Sequence, residues 1–252
     1  MIRESLLKKE AGLQNGFRMR GLGEVSRIEA LSDGVIAFAI TLLVVSLEVP
    51  KTFDELMVTM RGFVAFAITF AALFHIWLIQ YRFFRRYGLN DNFVVWMTAA
   101  LLFVILFYVY PLKFVCTFVI NNLAGVRTAV VSPDGTTVPA VRGGQVPTMM
   151  VMVGIGYSAV FTVFTLLYRH AYRKRAALGL NELEVYDTRH GLQENALMAA
   201  VGLLSVCIAA FAGPRWFSLS WLVYWLIGPI QFLHGWTMGR RRRRIEEKIA
   251  RE

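Results

Sequence analysis

Ionisable side chains inside apolar runs are the residues of this 252-residue sequence best placed to do chemistry. In a membrane such groups face protein or water and find partners, so each is a candidate for ion handling or proton transfer. Catalysis would need a nucleophile, a base and an orienting group that converge, or a metal cluster. The candidates show no catalytic spacing, which argues against an enzyme: Asp33, Glu48, His75, Glu194 and His234.

Metal and cofactor chemistry is not expected either. Cys116 and Cys207 lie in apolar surroundings, without a CxxC pattern or a nearby histidine. They are typical of small buried hydrophobic residues. His75 and His234 could relay protons or bind a metal ion. A metal site is not favoured, because neither histidine has a second ligand three or four residues away.

The most informative polar residues come at the start of the first apolar run. Ser32 and Asp33 precede a mostly apolar stretch that continues to Leu47. One interpretation is a helix N-cap, because both side chains can accept hydrogen bonds from free backbone N–H groups at a positive helix end. The other is a polar contact at the membrane surface, for which Arg27 is the nearest cation. Spacing alone leaves both interpretations open.

Long apolar blocks separated by short charged clusters must position these residues. The chain is 56% hydrophobic and 17% charged, whereas soluble domains carry about a quarter charged residues. Six blocks have about the length that crosses a bilayer, and in lipid they must be helices because open strands leave backbone groups unpaired. The sequence therefore predicts an all-α, polytopic integral membrane protein. Its six spans are about residues 32–49, 60–79, 93–110, 148–168, 196–212 and 217–238.

The spans divide the chain into three parts. A basic N-terminal segment, residues 1–26, precedes a six-helix domain, residues 27–239, and a basic tail follows at 240–252. The domain contains one longer extracellular loop, about residues 114–147, in which Ser-Pro-Asp-Gly at 132–135 predicts the turn of a small hairpin. In the sixth span, Pro229 is expected to kink the helix.

Basic residues predict the orientation. With both termini on one side, 21 of the 27 lysine and arginine residues lie on that side. The positive-inside rule then places both termini in the cytoplasm, in a multi-pass plasma-membrane protein. The run from Arg240 to Arg244 is expected to attract anionic lipid headgroups. Nucleic acid is not an expected partner, because this run directly follows a spanning helix.

An apolar stripe runs along one face of the first span, with Thr41 beside it. Its members recur at intervals of three and four residues: Leu31, Val35, Phe38, Leu42, Val45 and Val49. Helical periodicity alone makes such a stripe more typical of a packing core than of a pore lining.

Two stretches resemble the lysosomal-type potassium channel family and its bacterial members. Residues 27–34, Arg-x-x-x-Leu-Ser-Asp-Gly, resemble the family's first-helix signature Arg-x-x-x-Phe-Ser-Asp, and a helix containing Thr41 follows. Residues 77–84 are similar to the end of the family's second helix, where Trp is followed by His, Arg and Phe. The resemblance covers the first three spans best, and the count of six spans fits the whole chain.

The resemblance implies a homotetramer of six-helix subunits, whose first helices line a central potassium-permeable pore. Selectivity in the family is attributed to layers of side chains on that helix. Carried onto this sequence, the constriction is Phe38, later rings are Leu42 and Val45, and Thr41 supplies nearby hydroxyls. The resemblance thus changes the interpretation of the stripe from packing core to pore lining.

A polar cluster is implied as well. Arg27, Ser32 and Asp33 match the residues that brace the family's helices at the cytoplasmic end. Possible contacts from the second helix are His75, Trp77 and Gln80.

Three residues depart from the family pattern. Leu31 replaces the signature Phe, Gln80 stands where the family often has His, and Phe38 holds a constriction position normally occupied by Ile or Leu. Four phenyl rings could close a narrow pore by contact and dewetting. The alternatives to a channel are a secondary transporter and a non-conducting membrane scaffold. The gating stimulus and the potassium-to-sodium ratio cannot be read from the sequence.

Overall fold

Eight helices and two short hairpins make up the structure, a computed structural model that describes residues 13–14, 17–21, 23–45, 50–125, 129–131, 137–211 and 219–249. The helices are α1 (Arg27–Val45), α2 (Phe53–Arg61), α3 (Phe63–Tyr87), α4 (Asn92–Leu123), α5 (Val146–Arg173), α6 (Glu182–Phe211), α7 (Leu219–Trp225) and α8 (Ile227–Ile249). A 3-10 turn, Gly143–Gln145, precedes α5. The strands are β1 (Leu13–Gln14), β2 (Phe17–Arg18), β3 (Ala129–Val131) and β4 (Thr137–Pro139), paired β1 with β2 and β3 with β4, both antiparallel.

Five of the described helices are long and apolar enough to cross a membrane: α1, α3, α4, α5 with its preceding turn, and α6. They confirm the prediction of an all-α, multi-pass membrane protein. The predicted sixth span is divided between α7 and α8, with residues 212–218 outside the described part of the chain. The six-span count therefore stays a prediction.

The interruption between α7 and α8 has a local cause. Pro229 lacks an N–H, and its ring would clash with the carbonyl of Trp225 in a continuous helix. The chain turns at Leu226, whose N–H donates to the Val223 carbonyl (3.1 Å). The expected kink is thus a break three residues before the proline. Beyond it, α8 continues through the arginine run to Ile249, so the basic tail extends a helix.

The third spanning helix is longer than predicted. It was expected to end at Pro111, yet α4 continues through Pro111 to Leu123. Apolar residues follow the proline, and backbone groups in an apolar environment must be paired within the helix, so helix resumes after one missing bond. The loop predicted from residue 114 consequently begins about ten residues later. Within it, β3 and β4 confirm the predicted hairpin, and the turn at 132–136 lies outside the described residues.

Helix α2 was not predicted. Thr52 caps it by accepting a hydrogen bond from the Glu55 N–H (3.2 Å), and the helix runs directly into α3 at Gly62. It exposes four large apolar side chains at helical spacing: Phe53, Leu56, Met57 and Met60.

The centre of the bundle is the close antiparallel pair of α5 and α6. A Cβ atom on Gly202 would overlap the Ser158 hydroxyl, and one on Gly154 would overlap Val206. The two backbones can approach this closely because both positions are glycine.

An N-terminal strap, residues 17–21, lies across the end of the bundle where α3 and α5 end and α6 begins, called here the basic end. Arg20 Nη2 binds the Glu184 carboxylate at 2.7 Å, and Glu184 is only 1% exposed. The Gly21 N–H donates to the Arg85 carbonyl, and the Arg85 guanidinium donates back to the Gly21 carbonyl (2.7 Å). The strap therefore ties the segment that leads into α1 to both α3 and α6.

A second contact at the basic end joins α4 to α5. Asp91 caps α4 by accepting from the Val94 N–H (3.1 Å), and its other oxygen binds His170 Nε2 (2.8 Å) and Lys174 Nζ (2.7 Å). Burial opposes ionisation of this carboxyl, but hydrogen bonds from Lys174, His170 and Val94 outweigh that effect and lower its pKa.

We expect Asp91→Asn to lower the thermal midpoint at neutral pH by a few degrees, since the partly exposed ion pair contributes about 1 kcal/mol or less. The carboxyl pKa is lower in the folded protein than in the unfolded chain. Its contribution is therefore fully present above about pH 4 and is lost as the pH falls through the folded pKa. Thermal melts in detergent should show the difference from wild type shrinking below pH 4.

The matched control is Asp54→Asn, which removes an exposed carboxylate from α2. An Asp91→Asn deficit that persisted unchanged at low pH would mean that packing, and not the charge, stabilises this contact.

Candidate functional site

Helix α1 has two distinct faces. One face is buried against the rest of the subunit, at positions spaced by three or four residues: Ile28, Ser32, Ile36, Ala39 and Leu43. The opposite face is uncovered, and Leu31, Phe38 and Val45 are 55%, 58% and 75% exposed. These three residues are seven apart, so they lie in a row along the helix about 10 Å from one to the next.

The predicted pore residues lie on or beside the uncovered face. Phe38, Thr41 and Val45 are exposed, and Leu42 is half-buried at its edge. The Thr41 hydroxyl donates its proton to the Phe38 carbonyl (2.7 Å). Its oxygen therefore presents lone pairs and no proton to the surroundings. Val49 of the predicted stripe lies outside the described residues.

A base cluster of Ser32, Asp33, Trp77 and Gln80 joins α1 to α3 near the basic end. Trp77 Nε1 donates to Asp33 Oδ1 at 2.8 Å. Ser32 donates to the Ile28 carbonyl (2.7 Å), so its oxygen must accept from Gln80 Nε2 (3.1 Å). Ser32 and Gln80 are both 2% exposed.

The N-cap interpretation of Ser32 and Asp33 is wrong. Helix α1 begins at Arg27, more than a turn earlier, and Ser26 accepts from the Glu29 N–H (3.3 Å) at its start. Asp33 is therefore inside the helix, where its carboxylate is available to Trp77.

Arg27 and His75 lie apart from the base cluster. Residues six apart on a helix point in directions about 120° apart, so Arg27 and Asp33 do not meet within one subunit. Arg27 is exposed, and among the described residues it forms no ion pair. His75 is exposed on α3 and contributes to the wall of an internal cavity.

Sequence reasoning missed a contact at the opposite end of α1. Lys113 of α4 donates to the Leu43 carbonyl at 3.3 Å. Leu43 is two residues before Val45, the last described residue of α1, so this hydrogen bond links α4 to the far end of α1. Lys113 follows Pro111 by two residues. Because the helix was predicted to end at that proline, Lys113 was assigned to a loop and its contact with α1 was not expected.

A relative covers almost the whole chain. The sequence is 38% identical over 237 residues to a protein of Marivirga tractuosa named "Potassium channel", covering 93% of this chain and 95% of that protein. The chain belongs to the TMEM175 family. The sequence model of this family, described as "Endosomal/lysosomal potassium channel TMEM175", matches residues 27–108.

Further matches agree with the TMEM175 assignment. A potassium channel of Chamaesiphon minutus is 30% identical over 115 residues, 42% of this chain and 57% of that protein. Among solved structures, a threonine-to-alanine variant of the potassium channel MtTMEM175 has a TM-score of 0.76 at 37% identity, covering 91% of this chain and 99% of that one. A TMEM175 homologue from C. minutus has a TM-score of 0.50 at 20% identity over 86% and 96%, which is a likeness of fold.

The TMEM175 match spans α1, α2, α3 and the first half of α4. Every residue predicted for the site lies in this part of the chain, as does the base cluster. In this member of the family, the hydrogen bonds between Trp77 and Asp33 and between Gln80 and Ser32 hold α1 to its neighbour.

We expect Trp77→Phe to loosen the base of α1. The phenyl ring keeps the stacking between Phe74 and Tyr81, both 5.3 Å from the Trp77 ring, but removes the donor to Asp33. A lost hydrogen bond of about 1.4 kcal/mol should speed amide exchange in residues 27–36 about tenfold. Hydrogen–deuterium exchange with mass spectrometry measures this directly.

Trp96→Phe is the control, because Trp96 is 73% exposed on α4 and lies outside the base cluster. Equal exchange in the two variants would show that the Trp77–Asp33 hydrogen bond does not hold α1.

Proposed function

We propose that this chain is the subunit of a potassium-permeable channel whose pore is lined by α1. The observation that carries the proposal is the uncovered apolar face of α1. The helix buries one face in its own subunit and leaves Leu31, Phe38 and Val45 for a surface outside it. Membership of the TMEM175 family and relatives named as potassium channels favour a pore as that surface.

The pore forms in a homotetramer, in which four copies of α1 surround the axis. The exposed phenyl rings of four Phe38 residues make the narrowest ring, and Leu42 and Val45 make further apolar layers. An apolar constriction favours the cation that loses its hydration water at lower cost, which is potassium rather than sodium. Passive conduction of this kind involves no catalysis and no cofactor, in line with a family of channels.

Thr41 supplies the polar contact next to the constriction. Its hydroxyl proton is engaged by the Phe38 carbonyl, so the oxygen lone pairs are left for a cation. Four such oxygens, one from each subunit, partly replace the water that potassium loses at the Phe38 ring.

The proposal also includes the membrane in which the protein lies and its orientation there. The protein lies in the plasma membrane with both termini in the cytoplasm, an orientation supported by the excess of arginine and lysine at the basic end. Arg240 and Arg241 are exposed near the middle of α8, where they can meet anionic lipid headgroups.

A secondary transporter is the alternative that one observation favours. The break between α7 and α8 is the kind of interrupted helix from which transporters build substrate sites. Such sites usually pair two interrupted helices, whereas α4 runs unbroken through its own proline at Pro111. Flux driven only by the potassium gradient supports the channel, and flux that requires a second, coupled ion supports the transporter.

Phe38→Ala should raise potassium flux from proteoliposomes severalfold, because truncating the ring widens the constriction and lowers the dewetting barrier. Potassium and sodium gradients are compared in parallel, and the preference for potassium should fall as the constriction widens. Phe103→Ala, on a 70% exposed phenylalanine of α4, is the matched control. Unchanged flux in Phe38→Ala would place the constriction elsewhere.

Arg27→Ala tests whether an exposed cation at the base of α1 braces neighbouring subunits. Because Arg27 and Asp33 of one subunit do not meet, we propose that such a brace crosses the interface. The variant should lower the tetramer fraction measured by size-exclusion chromatography with light scattering. Arg169→Ala, which removes an exposed arginine of α5, should leave it unchanged. Wild-type mass and flux in Arg27→Ala would exclude the brace.

A further inference from the structure

A cavity of about 1240 Å³ lies within the subunit, and no residue of α1 lines it. Its walls come from α3, α4, α5, α6 and α8, and Phe17 and Met19 of the strap lie at one end. Among its lining residues, His75 and Arg82 are exposed, and both belong to α3. The cavity therefore opens beside α3.

The two ends of the cavity differ in polarity. Charged lining residues are gathered toward the basic end: Arg82, Arg86, Asp187, Glu194 and Arg242. The far part is lined mostly by apolar residues, together with His75 and Tyr108: Leu73, Ile105, Val109, Leu112, Val153 and Val160. A cavity charged at one end and apolar at the other has the polarity of an amphiphile.

The length of the cavity matches one leaflet of a bilayer. Along α3 it extends from Ala72 to Arg86, and 14 residues of helix rise about 21 Å. Half of a bilayer, including its headgroup region, is about 20–22 Å thick. The charged end lies at the basic end of the bundle, at the level expected for lipid headgroups.

The charges of the cavity balance one monovalent anion. Asp187 and Arg242 form an ion pair at 3.1 Å, which cancels both charges. Among the lining residues that the structure describes, the charged side chains of Arg82, Arg86 and Glu194 remain. Their sum is one positive charge. A net positive charge at the level of the headgroups attracts anionic groups, and a phosphodiester carries a single negative charge.

We propose that this cavity binds one monoanionic phospholipid of the leaflet at the basic end. The phosphate lies between the guanidinium groups of Arg82 and Arg86, the second of which is fixed 5.2 Å above the Phe17 ring. An acyl chain extends past Ala72 and Leu73 toward Val153. The site lies apart from the pore-lining face, so the inference goes beyond ion conduction.

Native mass spectrometry of the detergent-purified full chain tests the proposal, with phosphatidylglycerol and phosphatidylcholine added separately. We expect up to one phosphatidylglycerol per subunit, retained in preference to phosphatidylcholine and not displaced by excess inorganic phosphate. Equal retention of the two lipids would overturn the role of the charged end. Displacement by phosphate would show a free anion site and overturn the lipid.

Two pairs of variants locate the binding. Arg82→Gln should reduce phosphatidylglycerol retention about fivefold, the factor for one arginine at an anionic surface, whereas Arg169→Gln should not. Ala72→Phe fills the apolar part of the cavity and should reduce phosphatidylglycerol retention. Ala71→Phe places the same ring on the exposed neighbouring position and should leave retention unchanged.

Equal effects within either pair would mean that lipid binds the outer surface and would overturn the proposal. Thermal melts of each variant confirm that the fold is intact. Because Arg82→Gln leaves the interior packing unchanged, the test holds even if Ala72→Phe does not fold. The readout is lipid mass, so it is independent of whether the protein conducts potassium.

Discussion

In an apolar environment every backbone N–H and C=O must be paired inside the protein, and the course of this chain follows from that requirement. Helix α4 continues after Pro111 because the backbone groups of the apolar residues that follow cannot be hydrogen-bonded to water in a membrane and must be paired within the helix. Between α7 and α8 the helical pattern is interrupted at Leu226. There the Leu226 N–H donates to the carbonyl of Val223, three residues earlier, in place of the carbonyl four residues earlier. At the end of α1, Lys113 meets the Leu43 carbonyl. A side chain of α4 thus holds the candidate pore helix through one of its backbone groups.

Helix α3 lies between the base cluster and the cavity. On one side, Trp77 and Gln80 hold α1 through the base cluster. On the other, Ala72, Ile76 and Arg82 form part of the cavity wall. Neighbouring residues of this one helix, such as Ile76 and Trp77, thus contribute to different sites.

The sequence predicted the helices well and their ends poorly, for a physical reason. Apolar blocks long enough to span a bilayer have few alternatives to helix, so five spans were found. Their ends depend on tertiary pairing: Ser26, and not Ser32, starts α1, and α5 and α6 extend beyond their apolar blocks into charged sequence. The nine-residue α2 was missed because a short amphipathic helix gives no spanning signal.

The candidate site was predictable in part. Periodicity placed Phe38 and Val45 on one stripe, but it could not say which face of α1 would be covered. The contacts of Trp77 and Gln80 with α1 came from the family resemblance, since 44 and 48 residues separate the partners. Lys113 could not have been found, because its role depends on α4 passing through Pro111.

The strap across the basic end can close only late in the synthesis of the chain. Arg20 and Glu184 are 164 residues apart, so a ribosome that adds 5–20 residues per second needs roughly 8–33 s to make the second partner after the first. Helix α1 is among the first parts of the chain to be synthesised, while the carboxylate that anchors its leading segment comes from the fifth long helix. Until then α1 can be held to α3 through the base cluster, but the strap cannot close. The strap therefore secures the basic end only after α6 has been made, later than the contacts between α1 and α3.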